Sequence, residues 1–213
     1  LIENTFRPHI SEQEREKLPL LVPAIINHFW CSDGYERHDD AYRFVQDVKS
    51  HRKMLQASGS VFFGVLSNSD TRLPDILRSF EYKVGNISAN PEFEAGIKTP
   101  EDVDFQFIVL SYDVGHEKPA KEIFDTTESI VRKKLMQQDQ ADDQLVKLYV
   151  GDEVRKDGIG AQKAGWHAIV VDRANPSLST LEYLPTFLDR LETATAQKRN
   201  ILESVSSLNS HVS

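Results

Sequence analysis

Four short, mainly apolar runs divide the chain: residues 61–66, 107–110, 145–150, which holds Lys147, and 168–171. Val61-Phe62-Phe63-Gly64-Val65-Leu66 and its three counterparts have the length and continuity of strands buried on both faces. Helical spacing fills the intervals, from Pro74 to Phe80, from Pro119 to about Met136, and from Asp157 to Ala164. After the last run, Leu181, Leu184, Leu188 and Leu191 fall on one face of a terminal helix. Strands alternating with helices predict an α/β protein with a parallel sheet and right-handed crossovers.

The first fifty residues read differently, as helix throughout. Ser11 and Glu14 have the spacing of a capping box, in which the serine serves a free backbone N–H and the glutamate reaches back. Pro19 and Pro23 interrupt that helix or begin another, and Leu20 to Trp30 is apolar enough to predict burial. Cys31 to Gly34 reads as a turn, after which Ala41, Phe44, Val45 and Val48 share one helical face. Gly85, Asn86, Asn90, Pro91, Gly96 and Pro100 make the stretch from Tyr82 to Asp104 a predicted long loop. The serine-rich end from Glu203 to Ser213 is expected to fray. The chain opens on Leu1 rather than Met, in what reads as the middle of an amphipathic helix, so it is expected to begin inside a longer protein.

Composition narrows the function classes. With 213 residues the chain has room for one domain and a small appendage. Twenty-five basic against thirty-three acidic residues give a formal charge of −8, which argues against a nucleic-acid binder with its basic face. A local basic pocket for a phosphorylated small molecule remains compatible. Cys31 is the only cysteine, so no internal disulfide is available. No apolar run reaches the ~18–20 residues of a membrane span. The expected setting is therefore intracellular, cytoplasmic by default, with nucleus and mitochondrion left open. His28, His38, His51 and His116 lack metal-ligand spacing, Cys31 beside Trp30 reads as packing, and Lys147, Lys156 and Arg173 read as scattered charges.

The chemistry gathers where the strands end, the edge of an open α/β sheet at which ligands bind. The first strand runs into Ser67-Asn68-Ser69-Asp70, the second is followed by Gly115-His116-Glu117-Lys118-Pro119, and the third by Gly151-Asp152-Glu153, with Asp157 five residues past Asp152. Singly, these are an ordinary polar turn, the residue before a helix start and a helix cap. Together they suit a phosphate: hydroxyl and amide donors at Ser67 and Asn68, a point cation at Lys118, and hard carboxylate oxygens at Asp152 and Asp157 of the sort Mg²⁺ takes.

In their order and offsets these residues resemble the haloacid dehalogenase superfamily of hydrolases. Val65 to Asp70 resembles its second motif, His116 to Phe124 its third, and Val150 to Asp157 with Gly160-Ala161 and Ala164-Gly165 its fourth. The resemblance spans roughly residues 39–188. It implies a Rossmann-like parallel sheet with helices on both faces and a small α-helical cap. The corresponding divisions are residues 1–38 for the cap segment, 39–192 for the α/β core, and 193–213 for the end of the last helix and the tail.

The resemblance also implies Mg²⁺-dependent hydrolysis of a phosphoric monoester through an aspartyl-phosphate, with a small phosphorylated metabolite as substrate and no nucleic-acid or membrane partner. Ser67 and Lys118 take catalytic roles, Ser67, Asn68 and Lys118 bind substrate, and Asp152 and Asp157 serve the metal, with Glu153 a weaker candidate. The family's first motif, an apolar strand ending in Asp-x-Asp, is missing. Asp33-Gly34 lacks a preceding strand, and Asp70 and Asp172 lack a second aspartate two positions on. The central first strand is thus expected to be absent from this chain, which as it stands should be inactive. A metal-free dehalogenase is disfavoured by Gly151-Asp152, and a non-catalytic interaction module that keeps the hydrolase fold is the alternative. The substrate and the oligomeric state are left open.

Overall fold

A computed structural model describes residues 4–5, 7–55, 61–88, 103–137 and 145–173 of the chain. The predicted terminal helix at Leu181 to Leu191 and the tail at 193–213 lie outside the described residues.

The capping box forms: the Ser11 and Glu14 backbone N–H groups donate to the Glu14 carboxylate and the Ser11 hydroxyl, opening the single turn α1 (Glu12–Arg15). Pro19 sits in the first turn of α2 (Leu18–His28), where its missing N–H costs nothing, and the helix continues past Pro23. Burial of this segment is not observed. Leu20 is 80% exposed, and Leu21, Ile26, Phe29 and Trp30 are also exposed, with Leu18 the buried residue of the helix. The apolar side chains lie around the whole helix, and it meets the core mainly through the turn that follows. There Trp30 Nε1 donates to Asp75 at 3.0 Å and the Ser32 N–H donates to the Ser79 hydroxyl at 2.7 Å.

Next come α3 (Asp39–Leu55), β1 (Gly64–Ser67), α4 (Leu73–Ser79), β2 (Val84–Ser88), β3 (Phe105–Leu110) and the short α5 (Ser111–Val114). They are followed by α6 (Lys121–Gln137), β4 (Leu148–Gly151), a π-helical turn (Val154–Ile159), α7 (Gly160–Lys163) and β5 (His167–Val170). All strand pairs are parallel, so the predicted Rossmann-like α/β class holds. β2 corrects the long loop expected from Tyr82 to Asp104. Gly85 and Asn86 hide the strand pattern, and the register shifts between Val84 and Ile87 as an edge strand with a bulge permits.

The described strands form two sheets, β1-β3-β2 and β4-β5. β3 is buried along nearly its whole length, whereas β1, β4 and β5 are mostly half-buried, short of the burial on both faces that their apolar runs suggest. The reason is topological. β1 is paired by β3 on one side and β4 by β5 on one side, and among the described residues neither has a ladder partner on the other. The Tyr149 hydroxyl of β4 donates to the Leu66 carbonyl of β1 at 2.9 Å.

One apolar layer joins the sheets. Leu66, Phe107 and Val109 pack with Ile123 and Phe124 of α6 and with Ala161 and Ala164 of α7 and the turn after it, and Tyr149 and Ala168 lie against the same cluster. On the opposite face Phe63 and Val65 meet Val45, Tyr82 and Phe105, which brings α3 and α4 over the sheet. Helices therefore cover both faces. Arg173, expected to be an idle charge, ties the end of β5 to the start of α3 through Asp40 at 2.6 Å. Lys147 likewise pairs with Glu128, and Lys156 with Glu153.

Candidate functional site

Lys118 lies where the carboxyl ends of β1 and β4 converge, and it reaches there by a sequence of local constraints. β3 ends at Leu110, α5 makes one turn, and Gly115 stops it at φ +76°, the left-handed conformation that glycine adopts without a Cβ penalty. The chain then passes through His116 and Glu117, both exposed, to a cis Lys118–Pro119 peptide. Ile123 and Phe124, both fully buried, anchor α6 behind it. Asn68 fixes the loop from the β1 side. Its Oδ1 accepts from the Lys118 N–H at 2.7 Å and its Nδ2 donates to the Lys118 carbonyl at 3.0 Å.

The lysine side chain points inward. Lys118 is 9% exposed, and its ammonium donates to Asp157 Oδ1 at 2.7 Å and to the Tyr149 hydroxyl at 2.6 Å. Asp157 is 3% exposed, and its other oxygen accepts the N–H groups of Asp152 and Glu153 at 3.0 and 2.9 Å. A single carboxylate thus holds the lysine and closes the turn after β4. Gly151 makes room for it, since a Cβ at that position would collide with the Asp157 carboxylate. Burial, followed by the negative charge of Asp157, pushes the Tyr149 phenol far above its ordinary range, so the hydroxyl is neutral and serves as acceptor and donor at once.

Each candidate residue can now be placed. Ser67 is half-buried at the end of β1, and the hydrogen bonds that tie the site together do not use its hydroxyl. Asn68 commits its amide to the Lys118 backbone, so its role here is to clamp two loops. Asp152 is exposed beside the buried Asp157, and Glu153 is exposed and paired with Lys156. Asp70 is held by Arg72, whose hydrogen bond keeps its carboxyl below the usual range. Cys31 aims its thiol at the Asn27 carbonyl, in keeping with a packing role. Tyr149, within a mainly apolar run, carries no sequence pattern that separates it from a packing residue.

The arrangement has a defined electrostatic character. Lys118 and Asp157 largely cancel, so a phosphate dianion at this point would need further positive charge or several N–H donors. A divalent cation fits the described residues only in part. Asp152 offers an exposed carboxylate, both oxygens of Asp157 are taken, and no group of three or more His, Cys, Asp or Glu residues among the described ones could hold a metal. An open cleft of about 470 Å³ lies at the ends of β1 and β3, lined by Asn68, Ser69, Asp70, Ser111, Tyr112 and His116 among others, and Lys118 is not part of its lining. No helix among the described residues is long and apolar enough to cross a membrane.

Comparison with known proteins gives distant relatives. A Saccharomyces cerevisiae protein recorded as uncharacterised is 27% identical over 176 residues, covering 81% of this chain and 49% of its own length. A Schizosaccharomyces pombe protein, whose name assigns it provisionally to the hydrolases, is 27% identical over 172 residues, covering 81% of this chain and 60% of its own length. The chain thus spans about half the length of the relatives it matches. No protein-family model matches it.

Proposed function

We propose that the chain belongs to a haloacid dehalogenase-type hydrolase that cleaves phosphoric monoesters. The observation that carries this reading is the buried Lys118 ammonium, held by Asp157 and Tyr149 at the joint carboxyl ends of β1 and β4. The fourth-motif carboxylate and the third-motif lysine resemble the superfamily in sequence, and the fold brings them into direct contact. The distant similarity to a protein named as a hydrolase points the same way.

In this reading Ser67 and the backbone N–H groups following β1 hold phosphoryl oxygens. Lys118 has three donors and spends two on Asp157 and Tyr149, which leaves one N–H for the phosphoryl group or its attacking carboxylate. Asp157 keeps the ammonium oriented and the turn closed. Asp152 would hold Mg²⁺, which when bound supplies the positive charge that the neutralised lysine pair lacks. The attacking aspartate belongs to a first motif that the sequence does not contain. It would displace the alcohol from phosphorus, and water would then cleave the aspartyl-phosphate to regenerate the carboxylate and release phosphate. The intracellular setting, the small phosphorylated substrate and the division into cap and core belong to the same proposal.

One observation favours a second reading, a non-catalytic module on the hydrolase fold: both oxygens of Asp157 are satisfied within the protein, as a purely structural carboxylate requires. The test is release of orthophosphate from a panel of phosphate monoesters by the natural full-length polypeptide, with and without Mg²⁺. The hydrolase reading expects metal-dependent turnover that falls by at least about a hundredfold in Lys118→Met, the scale of losing one preorganised charge contact. No turnover by the full-length protein across the panel would favour the module.

A further inference from the structure

We infer that Tyr149 is a positioning residue for Lys118, and that its hydroxyl ties the location of the lysine to the edge of β1. This rests on the reading of Lys118 as the group that meets the anion, and it assigns a role to a residue outside the motif positions. The Tyr149 oxygen lies 2.6 Å from Lys118 Nζ and 2.9 Å from the Leu66 carbonyl oxygen. The ammonium has no lone pair, so it donates; the carbonyl can only accept; the hydroxyl must therefore accept from the first and donate to the second. That directional chain runs from the lysine on the loop before α6, through β4, to the backbone of β1.

The ring is fixed as well as the hydroxyl. Phe124 of α6 packs edge-on against it with centroids 5.6 Å apart, and Lys118 Nζ lies 5.0 Å from its own centroid. Asp157 alone would leave the ammonium free to swing about one oxygen. A second, neutral acceptor on a strand fixes its direction without adding negative charge that would repel a phosphate. The phenol serves that purpose because it stays un-ionised here.

The test reads the lysine itself. In the full-length protein, trace acetylation with acetic anhydride, followed by peptide mass spectrometry, gives the labelling rate of Lys118 relative to the exposed Lys163. Amide hydrogen exchange over residues 64–67 and 148–151 is measured in parallel. Tyr149→Phe keeps the ring and removes the hydroxyl. It is expected to raise the relative labelling of Lys118 by roughly tenfold, the weight of one charge-assisted hydrogen bond, while exchange in the two strands changes far less. Unchanged labelling, or labelling that rises only in step with strand exchange, overturns the proposal. Should the variant fail to fold, the wild-type protein decides by proton NMR: a nuclear Overhauser contact between the Tyr149 hydroxyl and Lys118 ammonium protons, with the hydroxyl exchanging markedly more slowly than that of the exposed Tyr112, upholds it, and a Tyr149 hydroxyl that exchanges as fast as that of Tyr112 overturns it. Neither readout needs substrate or metal, so lack of phosphatase activity would sink the hydrolase reading and leave this result standing.

Discussion

Removing the Asp157 carboxylate should unbalance a deeply buried charge pair. The side chains of Lys118 and Asp157 are 10% and 5% exposed and lie 2.7 Å apart. Taking one partner away leaves an ammonium with little water around it and only the Tyr149 hydroxyl as acceptor, a situation that costs about 3–5 kcal/mol. The lost bonds to the Asp152 and Glu153 N–H groups add less, because Asp152 and Glu153 are exposed and water can replace the carboxylate there. Asp157→Ala is therefore expected to lower the urea midpoint by on the order of 2 M, given slopes of ~1–3 kcal/mol per molar. Lys118→Met, by contrast, leaves a buried carboxylate that still accepts two backbone N–H bonds, so its cost should be smaller. The double variant removes both charges, and its loss should fall short of the sum of the single losses by roughly 2 kcal/mol or more. Urea unfolding followed by circular dichroism measures all three. A loss below about 1 kcal/mol for Asp157→Ala, or simple additivity, would mean that Lys118 is effectively hydrated and would refute the buried-pair account.

Other outcomes follow from the same geometry. Gly151→Ala places a Cβ against the Asp157 carboxylate and should cost about 1–3 kcal/mol in urea unfolding, the range for overpacking a tight site; a neutral result would show that the β4 turn relaxes freely. Glu128 is held below its ordinary value of 4.5 by the hydrogen bond from Lys147, then by Arg132, with burial opposing. Because the shift is downward, its stabilisation is present above about pH 4.5 and is lost as the pH falls through the depressed value. Glu128→Gln should therefore flatten the dependence of the urea midpoint on pH below about pH 5, and an unchanged slope would contradict the assignment. Trp30→Phe keeps a ring and removes the bond to Asp75. With its exposed setting it should cost no more than about 1 kcal/mol in urea unfolding yet speed amide exchange in the turn at Cys31–Gly34; unchanged exchange would show that the turn is held by other contacts.

Much of the framework was legible because its signals are local. The capping box at Ser11 and the apolar face of α3 each depend on spacing within a few residues. The parallel sheet followed from short, mainly apolar runs separated by helices. Four things were not legible, for physical reasons. β2 is an edge strand with Gly85 and Asn86 inside it, so neither composition nor alternation marks it. The exposure of α2 depends on what covers a helix, which its own sequence does not state. The roles of Asn68 and Asp157 depend on contacts made only in the fold: both carry donor or acceptor groups suited to a ligand, and the structure shows those atoms engaged with Lys118 and with the turn after β4. Tyr149 gave no sign at all, because its role arises only when β4 is set opposite Leu66.

The most direct test of the central claim is where inorganic phosphate binds the full-length protein, followed by amide and side-chain ¹⁵N chemical shifts as phosphate is added with Mg²⁺ present. The account predicts saturable shifts at Ser67, Ser69 and Lys118 and at the Asn68 side-chain amide. Shifts confined to the charged face of α6 around Lys121, Arg132 and Lys133, with the Lys118 region unmoved, would contradict it.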